Sequence, residues 1–475
     1  MNTRAAIRAT LLGQWAKFAT QMVGFVLLAR ILAPADFGIV AMVSPIVAFA
    51  TLFADLGLSL AGIQARSLAQ SQKSLLFYLN LVAGGFCACA VAAAAPILAL
   101  FYGEPRVTAV AIALGGSLLL VGASVQSRVE LTRNGRFKAL ATQDGVSALV
   151  AIVAAVAAAV LGAGYWALVV QSIAQPLVIL AMAAIQARWL PGRPAHLRES
   201  ASFLVFGGHT LLLQLLNLTS RSVDVMAIGR AGGPVELGLY SRSSQLISII
   251  FQQVVSPLTR VTLPRLVRAE SGTEFTTLVQ QLQRAISYVL VGLLSAVIAV
   301  APAACVVVLG PEWRGAGPIV QVLAIGAVFA ALGYVHYWAL LAKGKTGLLV
   351  LAELPGRVVM IAGSVLLAVY GGTAVATAIV CGQVVTFAMQ VFAGRKIGSG
   401  WRTLGRTACM PICIFAVATV ISIASQSVAD SDLIKFSVGT AAWLLVTAAA
   451  LIIPAVRRDL RRMLSSLRGP KKGND

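Results

Sequence analysis

The sequence predicts an all-α integral membrane protein of about 14 transmembrane helices. They are expected to form two parallel six-helix bundles related by a pseudo-two-fold axis along the membrane normal, plus two appended C-terminal helices. Three observations carry this. Of 475 residues, 59% are hydrophobic and only 11% charged, with a mean hydropathy of +0.89, whereas a soluble globular domain carries about 25% charged residues. Apolar stretches of the roughly 20 residues a helix needs to cross a bilayer recur along the whole length. Finally, Arg30-Ile-Leu-Ala-Pro34-Ala-Asp36-Phe-Gly38 returns 200 positions later as Arg230-Ala-Gly-Gly-Pro234-Val-Glu236-Leu-Gly238, both fitting R-x3-P-x-[DE]-[FL]-G. Thr10-Leu-Leu-Gly-Gln14 and Thr210-Leu-Leu-Leu-Gln214 keep the same offset. Duplication inside a membrane chain marks a transporter built from structural repeats.

In order, apolar spans are predicted at 9–31, 37–62, 74–101, 107–126, 143–162, 164–187, 202–229, 236–259, 278–309, 317–342, 346–369, 373–394, 407–426 and 436–454. The short alternating strands of a membrane barrel are not seen. Arg4 and Arg8 precede the first span as in a signal peptide, but the run is too long for one and lacks a convincing cleavage site, so it is read as a helix. Residues 1–190 then form the N-terminal bundle, 191–201 a Pro-containing cytoplasmic linker, and 202–400 the C-terminal bundle. Residues 401–455 supply the two additional spans and 456–475 a basic cytoplasmic tail, whose apolar residues at helical spacing suit the inner leaflet. Six spans per half is even, so both halves enter from one side and the repeats are parallel.

Charge placement gives the orientation. Lys and Arg concentrate in cytoplasmic loops. With the N-terminus inside, most of the 37 basic residues fall on inner segments, while the outer turns hold Arg30, Arg106, Arg230, Arg314 and Lys435. A multi-pass protein of the bacterial inner membrane with both termini cytoplasmic is expected. The net charge of +21 is read as contact with anionic membrane lipids. No basic-aromatic pattern points to nucleic acid.

The repeated turn has a mechanical reading. Pro lacks an N–H and suits the first turn of a helix, and a nearby Asp or Glu complements the positive helix N-terminus. Chemistry is sought instead in polar residues inside the spans. The seventh carries Thr210, Gln214, Asn217, Arg221 and Asp224 at spacings of 4, 3, 4 and 3, one helical face. The first matches it with Thr10, Gln14, Lys17, Gln21 and Gly24. The eighth adds Arg242, Gln245, Gln252 and Ser256, and the eleventh holds Glu353-Leu-Pro355-Gly356-Arg357, where a helix break is expected. Asp55 sits in the second.

Each ionised group at mid-membrane costs about 2.5–3.5 kcal/mol even on the lenient insertion scale. Such groups therefore pair, as Arg221 with Asp224 or Glu353 with Arg357 could, or line a hydrated cavity. Lys17, Arg221, Arg242 and Arg357 are the candidate basic residues for an anionic substrate. Gln14, Gln21, Gln214, Asn217, Gln245 and Gln252 are its candidate polar lining. Asp55, Asp224 and Glu353 are candidates for coupling to H+ or Na+. No resident cofactor or metal is expected, since His196, His209 and His336 share no ligand spacing. Cys87, Cys89, Cys305, Cys381, Cys409 and Cys413 lie in apolar spans without CxxC spacing and read as small packing residues. Gly344-Lys345-Thr346 matches the end of a phosphate-binding loop, but Ala339 stands where that pattern needs Gly.

The stretch Leu32-Ala-Pro34-Ala-Asp36-Phe-Gly38-Ile-Val-Ala-Met42, with Phe53-Ala-Asp55-Leu-Gly57-Leu and Ile63-Gln64, resembles the opening of bacterial polysaccharide-export flippases. The resemblance is to their colanic-acid-exporter-like branch, within the multidrug/oligosaccharidyl-lipid/polysaccharide exporter superfamily. Arg221-Ser-Val-Asp224, Ile228-Gly-Arg230, Leu237-Gly-Leu-Tyr240-Ser and Pro257 to Leu263-Pro264 fit the same family, so the likeness spans about residues 5–400. It implies flipping of undecaprenyl-pyrophosphate-linked oligosaccharide from the inner to the outer leaflet by alternating access, for exopolysaccharide, capsule or O-antigen. It also implies a polysaccharide polymerase and co-polymerase as possible partners. A cation-coupled multidrug antiporter of the same superfamily is the alternative; acid-dominated helices would favour it, and here bases equal or exceed acids within the spans. An enzyme is not expected, because the outer turns are short and carry no acid-base pair or metal cluster.

Overall fold

In a bilayer an uncharged run has no water to satisfy its backbone, and a helix satisfies it internally. A computed structural model of the protein describes residues 18–467 except 56, 65–67, 188, 197–200, 270–271 and 399. Side chains are described for these apart from 60, 61, 64, 201–217, 219–221, 402, 403 and 462–467. The described residues are mostly helical, with no strand among them.

The helices are α1 (Phe18–Ile31), α2 (Pro34–Asp55), α3 (Leu58–Gln64), α4 (Gln70–Tyr102), α5 (Arg106–Arg133), α6 (Phe137–Val160), α7 (Trp166–Ala187) and α8 (Ala201–Arg268). After these come α9 (Gly272–Leu309), α10 (Ala316–Ala342), α11 (Thr346–Tyr370), α12 (Gly372–Ile397), α13 (Trp401–Thr407), α14 (Cys409–Val428), α15 (Asp432–Ala450) and α16 (Pro454–Leu467). Among the described residues, 12 helices are long and apolar enough to cross a membrane. Helix α1 is apolar but shorter, and α8 is broken at Gly233 (φ 73°), where Pro234 starts a second segment. The count of 12 and the 14 predicted spans differ at these two places.

The chain divides into two compact units, Met1–Gly238 and Leu239–Asp475. The division falls inside α8. Within the first unit α8 is held by packing: Gly229 sits against the ring of Tyr102, and the turn at Pro234 lies against Gly38. The linker itself is docked on α4. Trp189 Nε1 donates to Gln70 Oε1 (2.8 Å), Gly192 N to Ser74 Oγ (2.8 Å) and Ala195 N to Ser71 O (3.0 Å).

Each unit repeats one packing scheme. In the first, the hairpins α4–α5 and α6–α7 join through α5 against α7; in the second, α9–α10 and α11–α12 join through α10 against α12. The turns repeat as well. Gly135 (φ 64°) and Gly344 (φ 67°) close α5 and α10 in the left-handed region, with Arg136 N on Leu131 O and Lys345 N on Leu340 O, both 2.9 Å. A Cβ there would be strained, so glycine is the fitting residue. The Gly-Lys-Thr tripeptide is therefore a helix stop followed by the first residue of α11.

Small residues let helices meet. A Cβ on Gly84 would lie 2.8 Å from Leu118 O, and one on Gly122 2.5 Å from Asn80 O, so α4 and α5 touch backbone to backbone. At their far end Lys73 Nζ meets Glu130 Oε1 at 2.9 Å, the side chains 19% and 12% exposed, and Asn134 Nδ2 donates to the same oxygen. Lys73→Ala should lower stability by about 3 kcal/mol, since it strands a buried carboxylate. Thermal unfolding in detergent measures this, and Glu130→Gln in the same background should recover most of the loss.

Two expectations need correction. Helix α11 runs unbroken through Pro355, and α12 closes in on the same turn, with Gly382 and Thr386 against Gly356. Of the six cysteines, Cys87 and Cys305 are buried, but Cys89, Cys381, Cys409 and Cys413 are exposed on their helices and pack nothing in. The tail helix α16 is anchored to α9: Arg284 Nε lies 3.2 Å from Asp459 Oδ1, and Tyr288 OH donates to Asp459 Oδ2 at 3.5 Å.

Candidate functional site

The repeated turn caps helices as its residues dictate. Pro34 is the first residue of α2, and Asp36 Oδ2 accepts Ala33 N at 3.1 Å. In the second copy Gly233 and Pro234 together stop and restart α8.

Beyond that restart, α8 is two-faced. Ser243, Ile247, Val255, Thr262 and Leu266 form its buried ridge. Gln245, Ser248, Gln252, Ser256 and Arg260 are exposed, and their spacing of three to four residues puts them on one opposite ridge. Half-buried Arg242 stands at its head and donates from Nη1 to Gln245 Oε1 at 2.5 Å; Ser256 Oγ donates to Gln252 Oε1 at 3.1 Å. From Glu236 to Glu270 the sequence holds Arg242, Arg260, Arg265 and Arg268 and no carboxylate between. An exposed row of amides and hydroxyls headed by a guanidinium is too costly against lipid tails, so it faces water or a polar ligand.

Beside Gln252, Phe251 meets the ring of Tyr334 at 5.9 Å, and Tyr334 meets Tyr337 and Trp338 at 5.2 Å each. On α11, Arg357 Nη2 lies 2.9 Å from Glu353 Oε2, with the side chains 35% and 23% exposed.

The structure thus brings Arg242, Gln245 and Gln252 onto one face and Glu353 against Arg357. Asp55, at the end of α2, accepts Ser59 Oγ. Half-buried Asp224 accepts its neighbour Val225 N at 2.9 Å. Gln21 is exposed on α1. Lys17 and Gln14 lie outside the described residues, as do the side chains of Gln214, Asn217 and Arg221. Ser248 and Arg260 were not singled out from sequence, though continuing the four-residue step of Gln252 and Ser256 reaches both. In the turn after α4, the hydrogen bond from Arg106 holds the Glu104 carboxyl below its usual range. Among the described residues no group of His, Cys, Asp and Glu could hold a metal ion.

Residues 27–317, which include both copies of the repeated turn, match the family described as "Polysaccharide biosynthesis protein". The chain belongs to this family. Among relatives of the polysaccharide biosynthesis protein family, "Teichuronic acid biosynthesis protein TuaB" of Bacillus subtilis (strain 168) is 27% identical over 316 residues, 63% of this chain and 63% of that one. "Succinoglycan biosynthesis transport protein ExoT" of Rhizobium meliloti (strain 1021) is 26% identical over 320 residues, 66% of this chain and 64% of that one. The chain thus spans a little under two thirds of the length of these curated relatives. The fold of this family member is similar to the solved structure "Lipid II flippase MurJ, inward closed conformation", with a TM-score of 0.73 at 12% identity over 93% of this chain and 98% of that one. An inward-facing multidrug resistance MATE family transporter of the MOP superfamily follows, with a TM-score of 0.64 at 13% identity over 82% and 98%.

Proposed function

We propose that this polysaccharide biosynthesis family member is a flippase that moves undecaprenyl-pyrophosphate-linked oligosaccharide from the inner to the outer leaflet of the bacterial inner membrane by alternating access. The observation that carries the reading is the exposed ridge of α8, basic and amide-rich and free of carboxylates, on a helix long and apolar enough to cross a membrane. Arg242 offers a fork suited to phosphate oxygens. The amides and hydroxyls of Gln245, Ser248, Gln252 and Ser256 can exchange hydrogen bonds with sugar hydroxyls, and Tyr334 and Tyr337 give flat faces with polar edges for sugar rings. A saccharide transport name among the relatives and a lipid II flippase among the similar folds agree with this chemistry. In this reading both termini lie in the cytoplasm, which the concentration of Lys and Arg on the inner loops supports. An H+ or Na+ gradient is proposed to drive the cycle, with Asp55, Asp224 and Glu353 as the candidate coupling carboxylates.

Loss of the gene in its native host tests this directly. Surface polysaccharide should disappear while lipid-linked repeat units accumulate on the inner leaflet, seen as material that an impermeant glycosidase digests only in inside-out vesicles. If the repeat units are instead digested in right-side-out vesicles at the normal level, the flippase reading fails. If toxic cations are retained in their place, the antiporter takes over.

A further inference from the structure

The turn that leads from α15 into the tail helix α16 is apolar and open. Leu451, Ile452 and Ile453 follow one another there, all exposed, Ile452 to 70%. Three adjacent large apolar side chains are unfavourable in water and favourable in acyl chains, so this turn belongs at the edge of the hydrocarbon layer. Helix α16 starts directly after it, at Pro454. Its described residues sort by face. Val456 is buried and Leu460 half-buried, whereas Arg457, Arg458 and Arg461 are exposed. The sequence adds Arg462, Arg468, Lys471 and Lys472, and Asp459 is the one carboxylate between Asp432 and Asp475. That acid is turned inward. Arg284 and Tyr288 of α9 engage its two oxygens, and the Arg284 and Asp459 side chains are 14% and 18% exposed. Arg457 Nε donates to Leu451 O at 2.6 Å, which ties the cationic side of α16 to the apolar turn.

A second short helix marks the same level. Both α13 and α16 pack on the stretch Gly272–Ile286 of α9, and Trp401 of α13 is exposed, with its ring edge against Phe387 at 6.1 Å. Indole rings gather at the membrane–water boundary. A basic cluster directly after the candidate span α15, next to an apolar turn and level with an interfacial tryptophan, matches an anionic leaflet by charge and by depth. A basic face turned to open cytosol would account for the arginines, but not for the exposed leucine and isoleucines. We propose that α16 is a binding site for anionic phospholipid: Arg457, Arg458 and Arg461 hold headgroup phosphates, Leu451, Ile452 and Ile453 sit in the acyl layer, and Asp459 is the positioning residue that fixes the helix on α9. The point of attachment gives the contact a consequence. Tyr288 lies in the π turn Ser287–Val291, where α9 departs from regular α-helical bonding, so lipid held by α16 braces that turn. The site goes beyond the transport reading and does not depend on the cargo.

Thermal unfolding of the full chain in a neutral detergent tests this with phosphatidylglycerol, phosphatidylcholine and inorganic pyrophosphate as probes. Phosphatidylglycerol should raise the midpoint by about 3 °C or more, and the other two should leave it in place. Arg458→Gln with Arg461→Gln should raise about 30-fold the phosphatidylglycerol concentration that gives half the shift, at about 1 kcal/mol per basic residue. Lys138→Gln with Lys345→Gln removes the same charge from exposed positions at the starts of α6 and α11 and should leave that concentration unchanged. Asp459→Asn makes the tail more cationic, yet it should abolish the shift, because the lipid-bound helix no longer holds α9; charge attraction alone predicts a larger one. Should that variant not fold, the arginine pair still decides. An equal response to phosphatidylcholine or pyrophosphate overturns the proposal, as does a wild-type concentration for the arginine pair or an equal loss in the lysine pair. A full shift in Asp459→Asn overturns the positioning role.

Discussion

Under the proposed flippase function, Arg242→Ala is expected to cut export by roughly 10- to 150-fold, the loss of a charge-assisted hydrogen bond worth about 1.5–3 kcal/mol, with membrane abundance unchanged. The guanidinium heads the exposed ridge of α8 and donates to the amide oxygen of Gln245. Truncation removes a cation without stranding a carboxylate on that segment, since none occurs between Glu236 and Glu270. Stability should therefore hold while transport falls. Arg242→Lys is the sharper variant: it keeps the charge as a mobile point but loses the planar fork, so an intermediate rate is expected if pyrophosphate is the ligand. Uptake of a fluorescent lipid-linked saccharide into proteoliposomes, measured against protein content, separates the outcomes. Wild-type rates for Arg242→Ala would remove this residue from the substrate path.

Sequence carried the membrane class, the duplication and the polar face of α8, because each is a local pattern. Composition excludes a soluble domain, and a three-to-four-residue step of Gln and Ser on an apolar helix does not depend on tertiary contacts. What sequence could not carry were distances between remote residues. The glycines of the repeated turn were legible as a motif, but their reason is a crossing of segments 200 residues apart. Pro355-Gly356 read as a break because local rules make proline break helices. In the structure α11 is continuous there, with α12 packed on the same turn. The same blindness hid Lys73–Glu130 and Arg284–Asp459, whose partners lie on different helices. Exposure was equally out of reach: four cysteines expected to pack are on the surface, since periodicity cannot say which face of an all-apolar helix meets protein.

Glu353 and Arg357 pose the opposite problem, because here the base has a carboxylate at 2.9 Å and its first duty is to neutralise it. Arg357→Ala alone should reduce both abundance and export, since an unpaired carboxylate is left in a membrane-spanning helix at a cost of about 3–5 kcal/mol for a buried pair, and less here with a third of Arg357 exposed. That result says nothing about substrate. Removing both charges does: Glu353→Gln with Arg357→Gln leaves two amides of similar shape that can bond each other across one helical turn, and abundance should recover. If Arg357 also meets the anionic headgroup when the site is occupied, export by the double variant should stay at least tenfold below wild type, because the pair then serves as a latch that substrate phosphate opens by competing for the guanidinium. If export recovers with abundance, the pair is structural and Arg357 leaves the substrate path. Glu353→Gln by itself completes the cycle: a freed Arg357 should bind the pyrophosphate headgroup more tightly, lowering the substrate concentration at half-maximal rate, while coupling to the driving ion is lost if that carboxylate carries it.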